Sequence, residues 1–304
     1  MANTALDRKF DRIRELEEAG KLSSKGGSRA LRKMMNNRLA VVGLVIFSII
    51  LLTSIFAPLL TVHDPGKINL RAMLQTPSAE HWFGTDKTGR DVFARVLYGG
   101  RVSILVGLGS AMMAAVIGVV VGCYAGYKGG WTDVIAMRVS EIFMSFPQII
   151  LVLLLVSITG QSLNNLIIIF VLTGWGAMFR LSRAQMLSLR EEEYVQALQS
   201  FGLSTPSICY KHVLPNTLGP IMVNITLTTA MFILAEAGLS FLGLGVPLNI
   251  PTWGNILNVA KDLRVLQNNW WMWLPVGTVI SLFVLSVNFI GDGLRDSTDP
   301  SQQG

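Results

Sequence analysis

Few side chains in this sequence have both a type and a spacing suited to chemistry. Three histidines stand at 63, 81 and 212, and two cysteines at 123 and 209. Their separations match no metal-ligand motif, and two thiols cannot build a disulfide framework, so no metal site and two free thiols are expected. No G-x-x-x-x-G-K-[S/T] run is present to cradle phosphates, and neither H-E-x-x-H nor G-x-S-x-G occurs. Neither ATP hydrolysis nor any other catalytic chemistry is therefore expected of the chain itself. Glu236 is the one charged residue between Val213 and Ala260. A carboxylate at the centre of a bilayer costs about 2.5–3.5 kcal/mol on insertion scales, so it must face protein or water. It reads either as a pathway or gating residue or as an acid paired within a subunit interface. Around it Asn224, Thr226, Thr228, Thr229 and Ser240 offer the weak polar contacts of a channel that passes a solute without holding it.

A second candidate is a helix pair at 190–220, REEEYVQALQSFGLSTPSICYKHVLPNTLGP. Tyr194, Ala197, Leu198 and Phe201 recur at helical spacing and make one apolar face. Glu191, Glu192 and Glu193 begin the first helix, where its dipole favours negative charge. Gly202 stands where a glycine ends a helix in the left-handed conformation. Ser204 or Thr205 is placed to cap a second helix, with Pro206 in its first turn and Pro215 closing it. No intramolecular cover for the apolar face is evident, so it either lies on lipid or docks a partner.

The elements that must carry these residues are membrane spans. The 304 residues are 51% hydrophobic and only 14% charged, against about 25% charged in a soluble protein, and the mean hydropathy is +0.50. A soluble globular, disordered or fibrous chain is excluded, and an all-α polytopic membrane protein remains. Uncharged runs predict six spans, near 39–60, 102–124, 136–158, 163–180, 216–237 and 272–291. Pro147 is expected to kink the third. Residues 237–260 hold Pro247, Asn249 and Pro251 and read as a helix end followed by a re-entrant or surface loop. The first span follows a long polar tail and reads as a retained anchor rather than a signal peptide.

Five of the six net positive charges sit in the tail at 1–38, which holds ten Lys or Arg against five Asp or Glu. It reads as an orientation signal or a contact with anionic lipid, not as a nucleic-acid site. Within it KFDRIRELEEAG resembles a charged helix. With the N-terminus inside, the inner segments carry sixteen Lys or Arg and the outer ones eight, which predicts both termini in the cytoplasm. The segments are then a cytoplasmic tail 1–38, the first span 39–60, an extracytoplasmic segment 61–101, a core 102–291 with a cytoplasmic loop 180–215, and a cytoplasmic tail 292–304. Trp270, Trp271 and Trp273 are expected in the outer aromatic belt. Arg138 and Glu141 should pair, and the GRD at 89–91 reads either as the cap of the helix leading into span two or, with His63, Asp64 and Asp86, as part of a polar outer surface that touches a partner.

The spacing from Ala197 to Gly202 to Leu214-Pro215 resembles the EAA loop of ABC-importer permeases, with Gln196, Leu198 and His212 as departures from its pattern. FGTDKTGRDVFARVLYGGR at 83–101, AEAGLSFLGLG at 235–245, PTWGNIL at 251–257 and NFIGDGLRDSTDP at 288–300 accompany it in order. Together they resemble the second, or C, permease subunit of the dipeptide, oligopeptide and nickel importer family. The resemblance runs from about residue 30 to 300.

It implies the type I ABC importer fold in a bacterial or archaeal inner membrane. The implied partners are a homologous second permease, two cytoplasmic ATPases that hold ATP and magnesium, and an extracytoplasmic substrate-binding protein, besides membrane lipid. The ATPase seat would be Tyr194, Ala197, Gly202 and Leu203, with Leu214 and Pro215 setting the second helix. Asn224, Thr228, Glu236 and Ser240 would line the pathway. Peptide is the expected solute, with chelated nickel or an oligosaccharide as alternatives. A secondary transporter or an intramembrane enzyme would not need the cytoplasmic helix pair.

Overall fold

The computed structural model describes residues 33–298, and among them every extended regular element is helical. The expected charged helix in the tail lies outside the described residues, as does the end of the C-terminal tail. Helix α1 (Arg38–Ile55) starts on Asn37, whose Oδ1 accepts from Leu39 N and Ala40 N. It crosses the uncharged run and leaves Leu39, Val42, Val45, Ile49 and Leu52 exposed, as a lipid-facing helix does. Helix α2 (Val92–Lys128) is 37 residues long, far longer than the run without charges predicts. Its added turns carry Arg95, bonded to Asp86, and Arg101, whose guanidinium donates to the Ser54 and Ile55 carbonyls. Paired charges of this kind extend a helix past the edge that composition alone suggests.

Helices α3 (Gly130–Met144) and α4 (Gln148–Thr159) replace the expected third span. They meet at 83°, so Pro147 breaks the helix rather than kinks it. Proline lacks the N–H and forces the preceding residue out of the helical region, and Pro147 stands at the N-cap of α4 with φ −55° and ψ 124°. Helix α5 (Leu163–Leu189) is again longer than its uncharged run. Its Arg183 forms a two-pronged ion pair with Asp133 of α3. After the short α6 (Glu193–Ser200), helical backbone runs from Thr205 through a π turn and a 3-10 turn into α7 (Leu218–Leu242). Pro215 therefore redirects the helix instead of closing it. A short α8 (Trp253–Leu257) and the long α9 (Leu274–Thr298) follow.

Contacts fix the directions of these helices. An added Cβ on Gly118 would sit 2.7 Å from Trp175 O; on Gly122, 2.6 Å from Phe179 O; and on Gly126, 2.9 Å from Arg183 O. The three glycines are four residues apart and meet α5 in ascending order, so α2 and α5 are parallel and their backbones touch along a small-residue stripe. Leu166 at the start of α5 shares a core with Val106 and Ala111. The chain from 129 to 162 must therefore climb back along about 20 residues of α2, roughly 30 Å at the helical rise. The broken pair α3–α4 makes that return and counts as one crossing, giving six.

Asn37 Nδ2 donates to Asp296 Oδ2 at 3.0 Å, so the start of α1 lies beside the end of α9. The two ends of the described chain and the 190–217 segment share one side. Residues 61–91 and 243–273 share the other.

The expected loop after span five folds back into the bundle. Gly243 ends α7 with φ +82°, and Thr252 caps α8 by accepting from Asn255 N at 3.0 Å. Trp253 is buried against Phe283, and its Nε1 donates to Val96 O at 3.1 Å. Trp271, expected in an aromatic belt, is instead buried against the 61–91 segment with Nε1 donating to Thr85 O, while Trp270 stays exposed.

Candidate functional site

The 190–217 element is a thin layer on a core of its own. Beneath α6 lie Val195, Ile208, Cys209 and Val213, packed with Cys123 of α2 and Met186 of α5. Both cysteines are free and buried. Gln199 Nε2 donates to Tyr127 OH at 2.6 Å and Tyr210 OH donates to Val120 O at 2.9 Å, which ties the element to α2. The helix ends in a Schellman motif. Gly202 N donates to Gln199 O at 2.9 Å and Leu203 N to Leu198 O at 3.3 Å, with Gly202 at φ +77°. Nothing lies within 4 Å of a Cβ added to Gly202, so only backbone conformation and the open space above constrain that position. Ser204 stands at the N-cap of the second helix, but its side chain makes no capping bond.

The apolar face expected from the sequence divides in two. Leu198 and Leu203 pack inward with Val195. Tyr194, Ala197 and Gly202 are exposed, and Phe201 is 80% exposed. Leu214 packs at the edge of the same core, and Pro215 is exposed. Asn216 Nδ2 reaches Tyr194 OH at 3.3 Å and joins the two ends of the element. Val195, which holds α6 down, was not singled out by sequence; its place one turn before Leu198 and Gln199 was the available signal. An exposed aromatic pair flanking small residues, held on a rigid seat, is suited to enter a groove of another protein.

The polar residues of α7 separate in the same way. Glu236 and Ser240, read from sequence as pathway residues, are fully buried inside the chain. Ser103 Oγ donates to Glu236 Oε2 at 3.1 Å, Ser240 Oγ donates to Oε1 at 2.8 Å, and Trp253 N donates to Ser103 Oγ at 3.0 Å. Glu236 thereby holds the re-entrant turn against α2, which is neither an interface position nor an open channel. Asn224 and Thr228 are half-buried neighbours, Thr228 Oγ1 lying 3.3 Å from Asn224 Oδ1. Thr228 and the exposed Met231 line a cavity of about 200 Å³ with Met144, Phe146 and Gln148 at the α3–α4 break.

On the opposite side, Asp91 caps α2, one of the two readings of the GRD, accepting from Ala94 N at 2.6 Å. Asp86 accepts from Thr88 N and Oγ1, from Arg90 N and Nε, and from Arg95 Nη1. Burial alone would push its carboxyl up, but the Thr88 hydroxyl, Arg90 and Arg95 outweigh that and hold it below the usual carboxylate range. Arg138 and Glu141 pair at 2.8 Å on the surface. The histidines are less scattered than the sequence suggests, since the fold brings His63 and His81 together beside Asp91.

Six crossings, a broken helix beside a cavity and a short helix pair on one side define a multi-pass membrane protein of the transporter type. Residues 118–303 match the family described as binding-protein-dependent transport system inner membrane component. Residues 27–77 match the N-terminal TM domain of oligopeptide transport permease C. The dipeptide transport system permease protein DppC of Alkalihalophilus pseudofirmus is 42% identical over 274 residues, covering 90% of both chains. The oligopeptide transport system permease protein OppC of Bacillus subtilis is 40% identical over 286 residues, covering 93% of both. The DppC of Bacillus subtilis is 39% identical over 290 residues, covering 95% of this chain and 90% of that one. The chain belongs to the family of binding-protein-dependent transport system inner membrane components, and within it to the permeases of peptide-type ABC importers.

Proposed function

We propose that this chain forms half of the pathway of an ATP-driven peptide importer in a bacterial or archaeal inner membrane. A homologous permease supplies the other half. Two cytoplasmic ATPases, which hold ATP and magnesium, dock on the 190–217 element, and an extracytoplasmic binding protein delivers the solute to the 61–91 and 243–273 side. The excess of Lys and Arg on the side of 190–217 supports the assignment of that side to the cytoplasm. The names of the relatives support peptides as the solute. Thr228, beside Met231 at the cavity, and Asn224, its hydrogen-bond partner, are the pathway residues this arrangement favours. Glu236 and Ser240 support the pathway wall from behind.

The observation that carries the reading is the outward Tyr194–Ala197–Phe201 face on a helix ended by Gly202. Gly202→Asp tests it. A Cβ in the left-handed region costs about 1 kcal/mol or more, and the new charge enters the docking face. The variant should insert at normal levels while ATPase copurification and peptide uptake are lost. Normal uptake by this variant would show that the element does not couple the permease to ATP.

A further inference from the structure

Two imidazoles and a carboxylate that are far apart in the sequence converge at the mouth of the 61–91 segment. One ligand-capable atom from each of His63, His81 and Asp91 lies within 4.8 Å of the other two. The two rings face each other with centroids 4.8 Å apart. His81 and Asp91 are buried and His63 is half-buried. An open cavity of about 500 Å³, lined also by Asp64 and Glu80, gives access from outside.

The hydrogen bonds around the cluster prepare it for a cation. His63 Nε2 lies 3.0 Å from Glu80 O. A carbonyl only accepts, so that nitrogen carries the proton and Nδ1 carries the lone pair. His81 Nδ1 lies 2.8 Å from Asp91 Oδ2, while the other oxygen of Asp91 is held by Ala94 N at the start of α2. The His63 ring and the Asp91 carboxylate are therefore oriented by partners outside the set, as ligands around a metal commonly are, while His81 and Asp91 hold each other through a bond that the ion would replace.

We propose that His63, His81 and Asp91 form a binding site for a divalent transition-metal cation of the zinc class. Two neutral imidazoles with one carboxylate suit zinc and its neighbours and disfavour magnesium or calcium, which take oxygen ligands. Bonds of about 2.0–2.2 Å place tetrahedral ligand atoms about 3.4 Å apart. The ligand atoms, which already lie within 4.8 Å of one another, reach that spacing by rotation of half-buried His63. The ion joins the end of α1's connection at 61–69 to the start of α2 and leaves a fourth position open to water in the cavity.

The test uses the full-length chain, purified in detergent without a histidine tag and stripped by chelator. Zinc(II) and cobalt(II) are titrated by calorimetry and visible absorption, with magnesium as a control. One zinc per chain and the visible bands of tetrahedral cobalt are expected. His63→Ala removes a half-buried ligand and should weaken zinc at least tenfold. Asp91→Asn retains the helix cap, because Asn caps as well as Asp, and should weaken zinc by a similar factor. The metal-free melting temperature shows that each variant is folded. Absence of zinc binding to the wild type, or equal zinc affinity in His63→Ala, overturns the site.

Discussion

At the end of the bundle built from 61–91 and 243–273, polar side chains turn inward and are bonded within the chain. At the end built from 190–217, aromatic side chains turn outward and stay exposed. Asp86, Asn255 and Asn258 each accept or donate several bonds that hold loop backbone in place; Asn255 Nδ2 alone reaches the carbonyls of Val246, Pro247 and Ile250. The Tyr194 ring is exposed although its OH meets Asn216 Nδ2, and Phe201 is 80% exposed. Loops with few helical residues must meet their backbone needs through side chains, whereas a short helix meets its own and leaves its outer face available. The buried polar residues of the first end therefore signal internal support, and the exposed aromatics of α6, on a closed core of their own, signal a partner.

The comparison breaks most readily at Trp253. It is buried among α2, α7 and α9 and fixes the re-entrant turn through Val96 O and Phe283. Trp253→Ala should cost about 3–5 kcal/mol, the usual range for emptying a buried aromatic site. Thermal unfolding in detergent measures it, with ATPase copurification of the surviving folded fraction as the second readout. A variant of normal stability that loses the ATPases would mean that the two ends are not separable.

Asp86 sharpens the comparison through pH. Its carboxyl is held below the ordinary value when folded. The stabilisation it gives is therefore fully present above the ordinary carboxylate pKa of about 3.9 and is lost as pH falls through the lower folded value. Asp262 behaves alike because Lys87 donates to it, and at this exposed site the effect is weak. Asp86→Asn leaves the buried Arg95 without its counter-charge, so about 3 kcal/mol should be lost at neutral pH. The gap in melting temperature between wild type and variant should narrow as pH is lowered below about 4. A gap that is constant with pH would show that Asp86 supports the segment by packing alone.

How far the sequence discloses this molecule follows the same division. The six crossings were legible because uncharged runs reflect the solvent directly, and Gly202 and Asp91 because a left-handed residue and a helix cap are local requirements. Helix ends were not legible where charges pair across elements, as Arg183 does with Asp133 and Arg95 with Asp86. Pro147 announced a disturbance but not its 83° angle, which depends on what α4 packs against. The burial of Glu236 was not legible because its partner Ser103 lies 133 residues away, and only Ser240 is a neighbour in sequence. His63, His81 and Asp91 meet only once the 61–91 segment has folded. The Gly118, Gly122, Gly126 stripe was open to view as a repeat of four, and its meaning needed only the neighbour that fills it.

The smallest expected effect on stability is the most informative about partnership. Phe201 is 80% exposed at the end of α6, and the core beneath is closed by Val195, Leu198 and Leu203 without it. Phe201→Ser removes no internal contact that the Schellman turn needs, so the melting temperature should shift by the equivalent of no more than about 0.5 kcal/mol, as for a surface substitution. The same change takes an aromatic anchor from the docking face. An exposed aromatic becomes buried when a partner covers it, and truncating such an anchor typically costs more than about 1 kcal/mol of binding. Titration of purified ATPase against the wild-type and Phe201→Ser permeases in detergent should then show a weakening of roughly tenfold, with peptide uptake reduced in proportion. Val195→Ser is the companion variant: it opens the core under α6 and should lower stability and docking together. If Phe201→Ser unfolds the permease, or docks ATPase as tightly as the wild type, the outward face is not the contact and the contrast between the two ends fails at its functional end.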